Sequence, residues 1–181
     1  MKELNALALA TGILGGLATG VIVGTHVLVI WGAVIAWACY FHVGGDSPFI
    51  KTITGNLFGV ICGWLSAVTI LGVATPLPVP VWAGIVVGVT VFLICQAARF
   101  KQLELIPVSI YGYAATFAYM LQTPEGFSLS TLLSPTMKNA LLVVGASMAV
   151  GAVLAFLTAK LMGFFMSTGR GHAPTSATHR S

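Results

Sequence analysis

The chain has 181 residues, of which 57% are hydrophobic and only 7% are charged, and its mean hydropathy is +0.99. A soluble domain carries about 25% charged residues, so this composition excludes a water-soluble globule. The net charge of +4 comes from residues that lie mostly between apolar runs rather than in a patch with interleaved aromatics. Nucleic-acid binding is therefore not expected, and the composition indicates a membrane protein whose partner is the lipid bilayer.

Six apolar runs follow one another along the chain. A helix needs roughly 20 apolar residues to cross a hydrocarbon core about 30 Å thick, and in an open chain only helices satisfy the backbone there. The runs cover residues 4–24, 27–42, 50–73, 79–98, 103–121 and 140–165. The sequence therefore predicts an all-α, polytopic membrane domain of six transmembrane helices over residues 1–166. Residues 167–181 are rich in Gly, Ser, Thr and His and are predicted to form a disordered cytoplasmic tail.

The Lys and Arg residues fall mainly on one side of this topology. If the N-terminus, the second and fourth connections and the tail share a side, the other side keeps only Lys138 of the eight Lys and Arg. Positive residues are enriched on the cytoplasmic side of a membrane. We therefore expect both termini to be cytoplasmic.

The segment SPFIK at 47–51 has an echo in SPTMK at 134–138, and both precede a long apolar run. A serine cap followed by proline at the first helical position explains each copy on its own. In the predicted topology, however, Lys51 and Lys138 lie on opposite sides of the membrane. Because each half then holds three spans, the pairing favours two inverted three-helix repeats, residues 1–73 and 79–166.

The same segments supply candidates for a solute path, since a helix start below the membrane surface exposes N–H groups and a positive dipole end. Asn56 is the one amide deep in the first half, and it either bonds a neighbouring helix or meets solute. The candidate path residues are polar, basic or aromatic side chains near the two helix starts or inside the spans: Asn56, Ser47, Ser134, Lys51, Lys138, Trp37 and Tyr113.

Glycines recur at every fourth position in two spans. Such a stripe lets two helix backbones approach closely where lipid tails provide no hydrophobic drive. The predicted packing glycines are Gly12, Gly16, Gly20 and Gly24 in the first span and Gly55, Gly59 and Gly63 in the third. They are expected to pack helices within one chain or between chains.

No Asp, Glu, Lys or Arg falls in the middle of any run, which argues against a proton-coupled pump. No nucleophile with its base and no phosphate loop is present, so an enzyme is not expected. The three cysteines, Cys39, Cys62 and Cys95, lie in apolar runs without Cys-x-x-Cys spacing and are predicted to be buried, reduced thiols. His26 and His42 each stand alone, so neither a metal site nor a cofactor is expected.

Several short motifs also resemble those of a known family. They are Trp31-Gly32, ACYF at 38–41, Gly44-Gly45, FL at 92–93, QA at 96–97, KQL at 101–103, Pro107 and GYAATF at 112–117. With these motifs the chain resembles the small bacterial inner-membrane family filed as domain of unknown function 1097. The resemblance implies a bacterial inner-membrane location and a six-helix body, but no activity and no functional residues.

These observations leave three functional hypotheses. The leading one is a passive channel or facilitator for a small uncharged or weakly polar solute, built as a homo-oligomer. The alternative is a non-transporting membrane subunit that docks on a partner protein through glycine-rich helix faces. The third is a coupled transporter that uses Asp46 or Glu104.

Overall fold

The computed structural model describes residues 2–168, and within that range every regular element is an α-helix. The helices are α1 (Glu3–Thr25), α2 (Ile30–Val43), α3 (Pro48–Gly72), α4 (Val79–Ala97), α5 (Ile106–Gln122), α6 (Leu129–Leu132) and α7 (Ala140–Thr168). Each predicted apolar run contains one helix, with bounds that differ by at most three residues. The predicted tail lies outside the described residues from 169 onwards, and residues 167–168 complete α7.

Four of these helices, α1, α3, α4 and α7, are long and apolar enough to cross a membrane. The all-helical prediction is therefore confirmed, and the chain has the helices of a membrane protein. With 14 residues, α2 is shorter than a usual span, and α5 has 17. Six crossings accordingly remain a prediction.

The connections account for where the helices begin and end. Proline lies in the first turn of α3, α4 and α5, where its missing N–H would have had no partner in any case. Gly44 and Gly45, which separate α2 from α3, have φ of 51° and 60°, a region that glycine adopts without steric cost.

Two expectations about the Ser-Pro segments are wrong. Ser47 precedes α3, but its φ of 58° places it in the left-handed region, and its side chain makes no cap hydrogen bond. Ser134 does not begin α7; it lies in a turn where its Oγ donates to the Thr131 carbonyl at 2.8 Å. The residue before α7 is Asn139, whose Oδ1 accepts the N–H of Leu141 at 3.0 Å. Asn139 therefore takes the capping role that the sequence echo suggested for Ser134.

The contact between α3 and α5 is made through glycine. A methyl group on Gly59 would collide with the backbone carbonyl of Ser109, and one on Gly112 would collide with the carbonyl of Asn56. The two helices run in the same direction, since Gly55 faces Val108 and Gly63, two turns later, faces Thr116. This is the close backbone approach that small residues allow in membrane proteins.

A second close contact joins α2 and α7. A methyl group on Gly151 would collide with the backbone carbonyl of Ala33, and Gly32 lies beside Ser147. Trp37 and Tyr40, further along α2, cluster with Ala155 of α7. These two helices therefore also run in the same direction.

The remaining long helices, α1 and α4, lie at the periphery, with α1 against α7 and α4 against α3. The apolar core lies among α2, α3, α5, α6 and α7 and includes Val60, Met120 and Met148. The short α6 is anchored to α3, because the Trp64 indole donates to the carbonyl of Leu132 at 2.9 Å. This core places Asn56 in the interior.

Candidate functional site

Two polar side chains in the first three turns of α3 are buried without a full set of partners. Asn56 and Thr52 are both 0% exposed, and neither the Asn56 Nδ2 nor the Thr52 Oγ1 has a hydrogen-bond partner among the described residues. An unpaired amide or hydroxyl in a low-dielectric interior costs roughly 1–3 kcal/mol. Groups of this kind mark a place where a water molecule or a polar solute would be stabilised.

The Asn56 amide is linked to a cavity through a cysteine. The Cys39 thiol donates to the Asn56 Oδ1 at 3.8 Å, a weak contact across α2 and α3. Cys39 also lines a cavity of about 440 Å³ together with Ala38, His42 and Tyr111. The buried amide thus lies directly behind one wall of this space between α2 and α5.

A second cavity continues along the same two helices. Its volume is about 290 Å³, and its lining includes Trp31, Ala114 and Gln122. Ile35 and Tyr111 line both cavities, so they lie where the two meet. The linings are mainly apolar with a few polar groups, a composition typical of small-molecule sites.

The directions of α2 and α5 follow from these linings. His42, near the end of α2, shares a cavity with Tyr111 near the start of α5. Trp31, near the start of α2, shares the other cavity with Gln122 at the end of α5. Along the groove between them, α2 and α5 are therefore antiparallel.

Tyr113 takes part in a chain of hydroxyl groups between α3, α4 and α5. Its Oη donates to the Ser66 Oγ at 3.3 Å, and that oxygen lies 2.9 Å from the Thr90 Oγ1. Thr90 in turn donates to the carbonyl of Val86 at 2.7 Å. The Trp37 side chain is also buried, but its Nε1 has no hydrogen-bond partner among the described residues.

Lys51 forms an ion pair at the predicted cytoplasmic ends of α3 and α5. Its Nζ lies 2.7 Å from Glu104 Oε1. The hydrogen bond and the charge of Lys51 lower the pKa of the Glu104 carboxyl below its ordinary value, with a smaller contribution from Lys101. Lys51 also lines a cavity of about 210 Å³ with Ser47 and Lys101. This ion pair offsets the unfavourable position of a lysine in the first turn of α3.

Lys138 lies in a different part of the molecule. It lines a cavity of about 280 Å³ with His26 and Tyr119, and its carbonyl accepts the Tyr119 hydroxyl at 3.4 Å. Trp37 lines a further cavity, of about 400 Å³, between α1 and α2. The predicted path residues therefore do not converge on one cavity.

Sequence reasoning missed the residues that form the α2–α5 groove. Ile35 and Tyr111 lie in apolar runs and carry no motif that separates them from residues facing lipid. Cys39 was predicted only as a buried, reduced thiol, and Thr52 was not among the predicted path residues. Cys39 is buried as predicted, whereas Cys62 is half-buried and Cys95 is exposed. The available sequence signal for the groove is its small residues. Ala114 and Ala118 are four residues apart on α5, and Ala38 lies on α2.

The glycines of α1 differ from those of α3. A methyl group on Gly12, Gly16, Gly20 or Gly24 would meet no atom within 4 Å, and these four residues are exposed. Gly55, Gly59 and Gly63, in contrast, all face α5. Within the described chain, the α1 stripe is an open face.

The family of the chain follows from comparison with known proteins. No match is found among the curated proteins or among the solved structures. A match is found over residues 8–163 to the family described as protein of unknown function DUF1097. This range covers α2 to α6 in full, together with most of α1 and α7. The chain therefore belongs to the DUF1097 family, as its sequence motifs predicted.

Proposed function

We propose that this protein is a passive channel or facilitator for a small, uncharged or weakly polar solute in the bacterial inner membrane. The observation that carries the proposal is the buried, unpartnered Asn56 Nδ2, whose amide contacts Cys39 in the wall of the α2–α5 cavity. The unpartnered Thr52 Oγ1 lies one turn earlier on α3. Neither Asn56 nor Thr52 lines the cavity itself, so a water molecule or polar solute would supply the missing hydrogen bonds only after passing behind Cys39. Among the described residues, no Asp, Glu, Lys or Arg lies in the lining of either α2–α5 cavity, and His42 is the one imidazole side chain there, which favours a neutral solute.

The helix order supports an inverted repeat as the framework of this path. α1 and α4 begin at Glu3 and Val79, and α2 and α5 begin at Ile30 and Ile106, so both pairs are 76 residues apart. α3 and α7 begin at Pro48 and Ala140, 92 residues apart, and the additional residues form the connection that contains α6.

The two close glycine contacts are related by the same intervals of 76 and 92 residues as the helix starts. Gly59 of α3 packs on Ser109 of α5, and Gly151 of α7 packs on Ala33 of α2. Positions 59 and 151 are 92 residues apart, and positions 33 and 109 are 76 apart. Since α2 and α5 are antiparallel in the groove, the two three-helix units are best described as inverted copies.

This framework has consequences for topology. Two inverted three-helix units give six crossings with both termini on one side, and the distribution of Lys and Arg favours the cytoplasmic side. α2 and α5 are the shortest of the six helices, about 21 Å and 26 Å long at 1.5 Å per residue. The distance between the two aqueous phases would therefore be shortest along their groove.

The test is solute flux through purified protein in liposomes, with urea, short amides, glycerol and ammonia compared with empty vesicles. Asn56→Leu removes the buried amide and should reduce the flux severalfold. Gln96→Leu changes an amide near the end of α4 and should leave the flux close to wild type. Flux no higher than in empty vesicles would contradict the proposed function, and equal effects of the two variants would contradict the role of Asn56.

A second candidate function is favoured by the open glycine face of α1. A membrane subunit that docks on a partner protein would use such a face for close helix contact, with Gly16 and Gly20 near its centre. The same face could join copies in the proposed homo-oligomer. Purification in mild detergent separates these outcomes: a stoichiometric second polypeptide favours the subunit, and a stable homo-oligomer favours the channel.

A further inference from the structure

The two cavities between α2 and α5 are lined by corresponding positions. Ala38 and Cys39 line the first cavity, and Ala114 and Ala115, each 76 residues later, line the second. Ile35 and Tyr111 are also 76 residues apart, and each lines both cavities. This is the interval that separates the starts of α2 and α5. The two cavities are thus related to one another by the same repeat as the helices.

We infer that the two cavities are the halves of a single path along α2 and α5, and that Ile35 and Tyr111 form its central constriction. The inference rests on the proposed function and adds the residues that select solutes by size. A pair of equivalent residues lies on the axis that relates the two halves, so it meets a solute arriving from either side. A larger solute would fit in each half and be stopped at the centre.

The ends of the groove support this assignment. His42 lies at the end of the first cavity and Gln122 at the end of the second, and both are exposed. Between them the lining has small side chains, with Ala38 on one helix and Ala114 on the other. The groove therefore has a polar group at each end and an apolar middle, and the bulky residues shared by both halves lie between them.

The groove between α2 and α5 is open on one side. Tyr111 is 45% exposed, so lipid tails would reach the groove of a single chain in a bilayer. A path for polar solute needs that side covered, and the proposed homo-oligomer would cover it with a second copy. Reconstituted protein should accordingly be tested as the oligomer that detergent purification yields.

The first experiment changes the size of the two central side chains. Tyr111→Ala and Ile35→Ala should each raise glycerol flux severalfold relative to urea flux, because they widen the narrowest point. Ile35→Trp should lower both fluxes severalfold. The matched control is Phe92→Ala on α4, which removes an exposed aromatic side chain that lines neither of these cavities and should leave the ratio unchanged.

A second pair of variants tests the two halves without altering the centre. Ala38→Leu and Ala114→Leu add the same group at equivalent positions, so both should reduce flux to a similar extent. Circular dichroism and gel filtration identify variants that have lost the fold. If Ile35→Trp is one of them, Ala38→Leu and Ala114→Leu still test the path.

The outcomes distinguish the inference from the proposed function. Wild-type flux that falls in Asn56→Leu but is unchanged in the Tyr111, Ile35, Ala38 and Ala114 variants would overturn the constriction alone. Absence of wild-type flux would overturn both. The path as assigned is supported if Tyr111→Ala and Ile35→Ala raise the glycerol-to-urea flux ratio, and Ala38→Leu and Ala114→Leu reduce flux equally.

Discussion

At the scale of single residues, the structure distinguishes polar groups with a partner from those without one. Lys51 and Glu104 pair at 2.7 Å, whereas the Asn56 Nδ2 and Thr52 Oγ1 lack a partner among the described residues. Asn56 was identifiable from sequence because it is an amide inside an apolar run. Its contact with Cys39 was not, because it depends on how α2 packs against α3. The sequence therefore identifies a polar side chain inside an apolar run, but not the group with which that side chain forms a hydrogen bond.

The Lys51–Glu104 pair predicts a specific pH dependence of stability. The pKa of Glu104 is lower in the folded protein, so its contribution is present above the unfolded pKa and is lost as pH falls through the folded pKa. Glu104→Gln should lower the thermal midpoint slightly at pH 7, because an exposed pair is screened by water. Thermal unfolding in detergent should show this difference vanishing in acid, below the ordinary value of 4.5.

Glu3→Gln is the control for that measurement, since Glu3 is exposed and makes no ion pair with any residue in the described part of the chain. A midpoint difference for Glu104→Gln that persists unchanged into acid would show that the pair does not act through the Glu104 charge.

At the scale of the helices, the apolar runs predicted every long element, because length and hydropathy are properties of the sequence alone. The apolar run also predicted the start of α7 at residue 140, but not the residue that caps it. The echo SPTMK begins five residues before Asn139, and the cap is formed where Asn139 bonds both the Ser134 carbonyl and the Leu141 N–H. The sequence similarity suggested Ser134 as the cap of α7, but the hydrogen bonds show that Asn139 is the cap.

The two glycine stripes have the same spacing but opposite surroundings, and this gives a stability prediction. Gly59→Ala should destabilise the protein by about 1–3 kcal/mol, the usual cost of overpacking, because the new methyl meets the Ser109 backbone. Gly16→Ala should keep or raise stability, since its methyl meets open space and alanine favours the helix by roughly 1 kcal/mol. Chemical unfolding in detergent measures both; wild-type stability of Gly59→Ala would show that α3 and α5 are further apart.

At the scale of the whole molecule, the inverted repeat that we propose was suggested from sequence by the Ser-Pro echo, but the helix positions support it with different intervals. The Ser-Pro echo implied an interval of 87 residues, from 47 to 134. The helix starts instead give 76 for the first two pairs and 92 for the third, because the second unit has a longer connection before its last helix. No single interval relates the two proposed units, so a repeat searched for at one fixed spacing would not align all three helix pairs.

The central claim is that the two units lie in opposite orientations across the membrane. It is tested most directly by labelling Asp46→Cys and Lys138→Cys, each in a chain whose three cysteines are replaced by alanine, with a membrane-impermeant maleimide. Both positions are exposed, and they lie in the connections before α3 and α7. The inverted arrangement predicts that Lys138→Cys is labelled in spheroplasts with an intact inner membrane and Asp46→Cys only in inside-out vesicles. Labelling of both cysteines from the same side would contradict it.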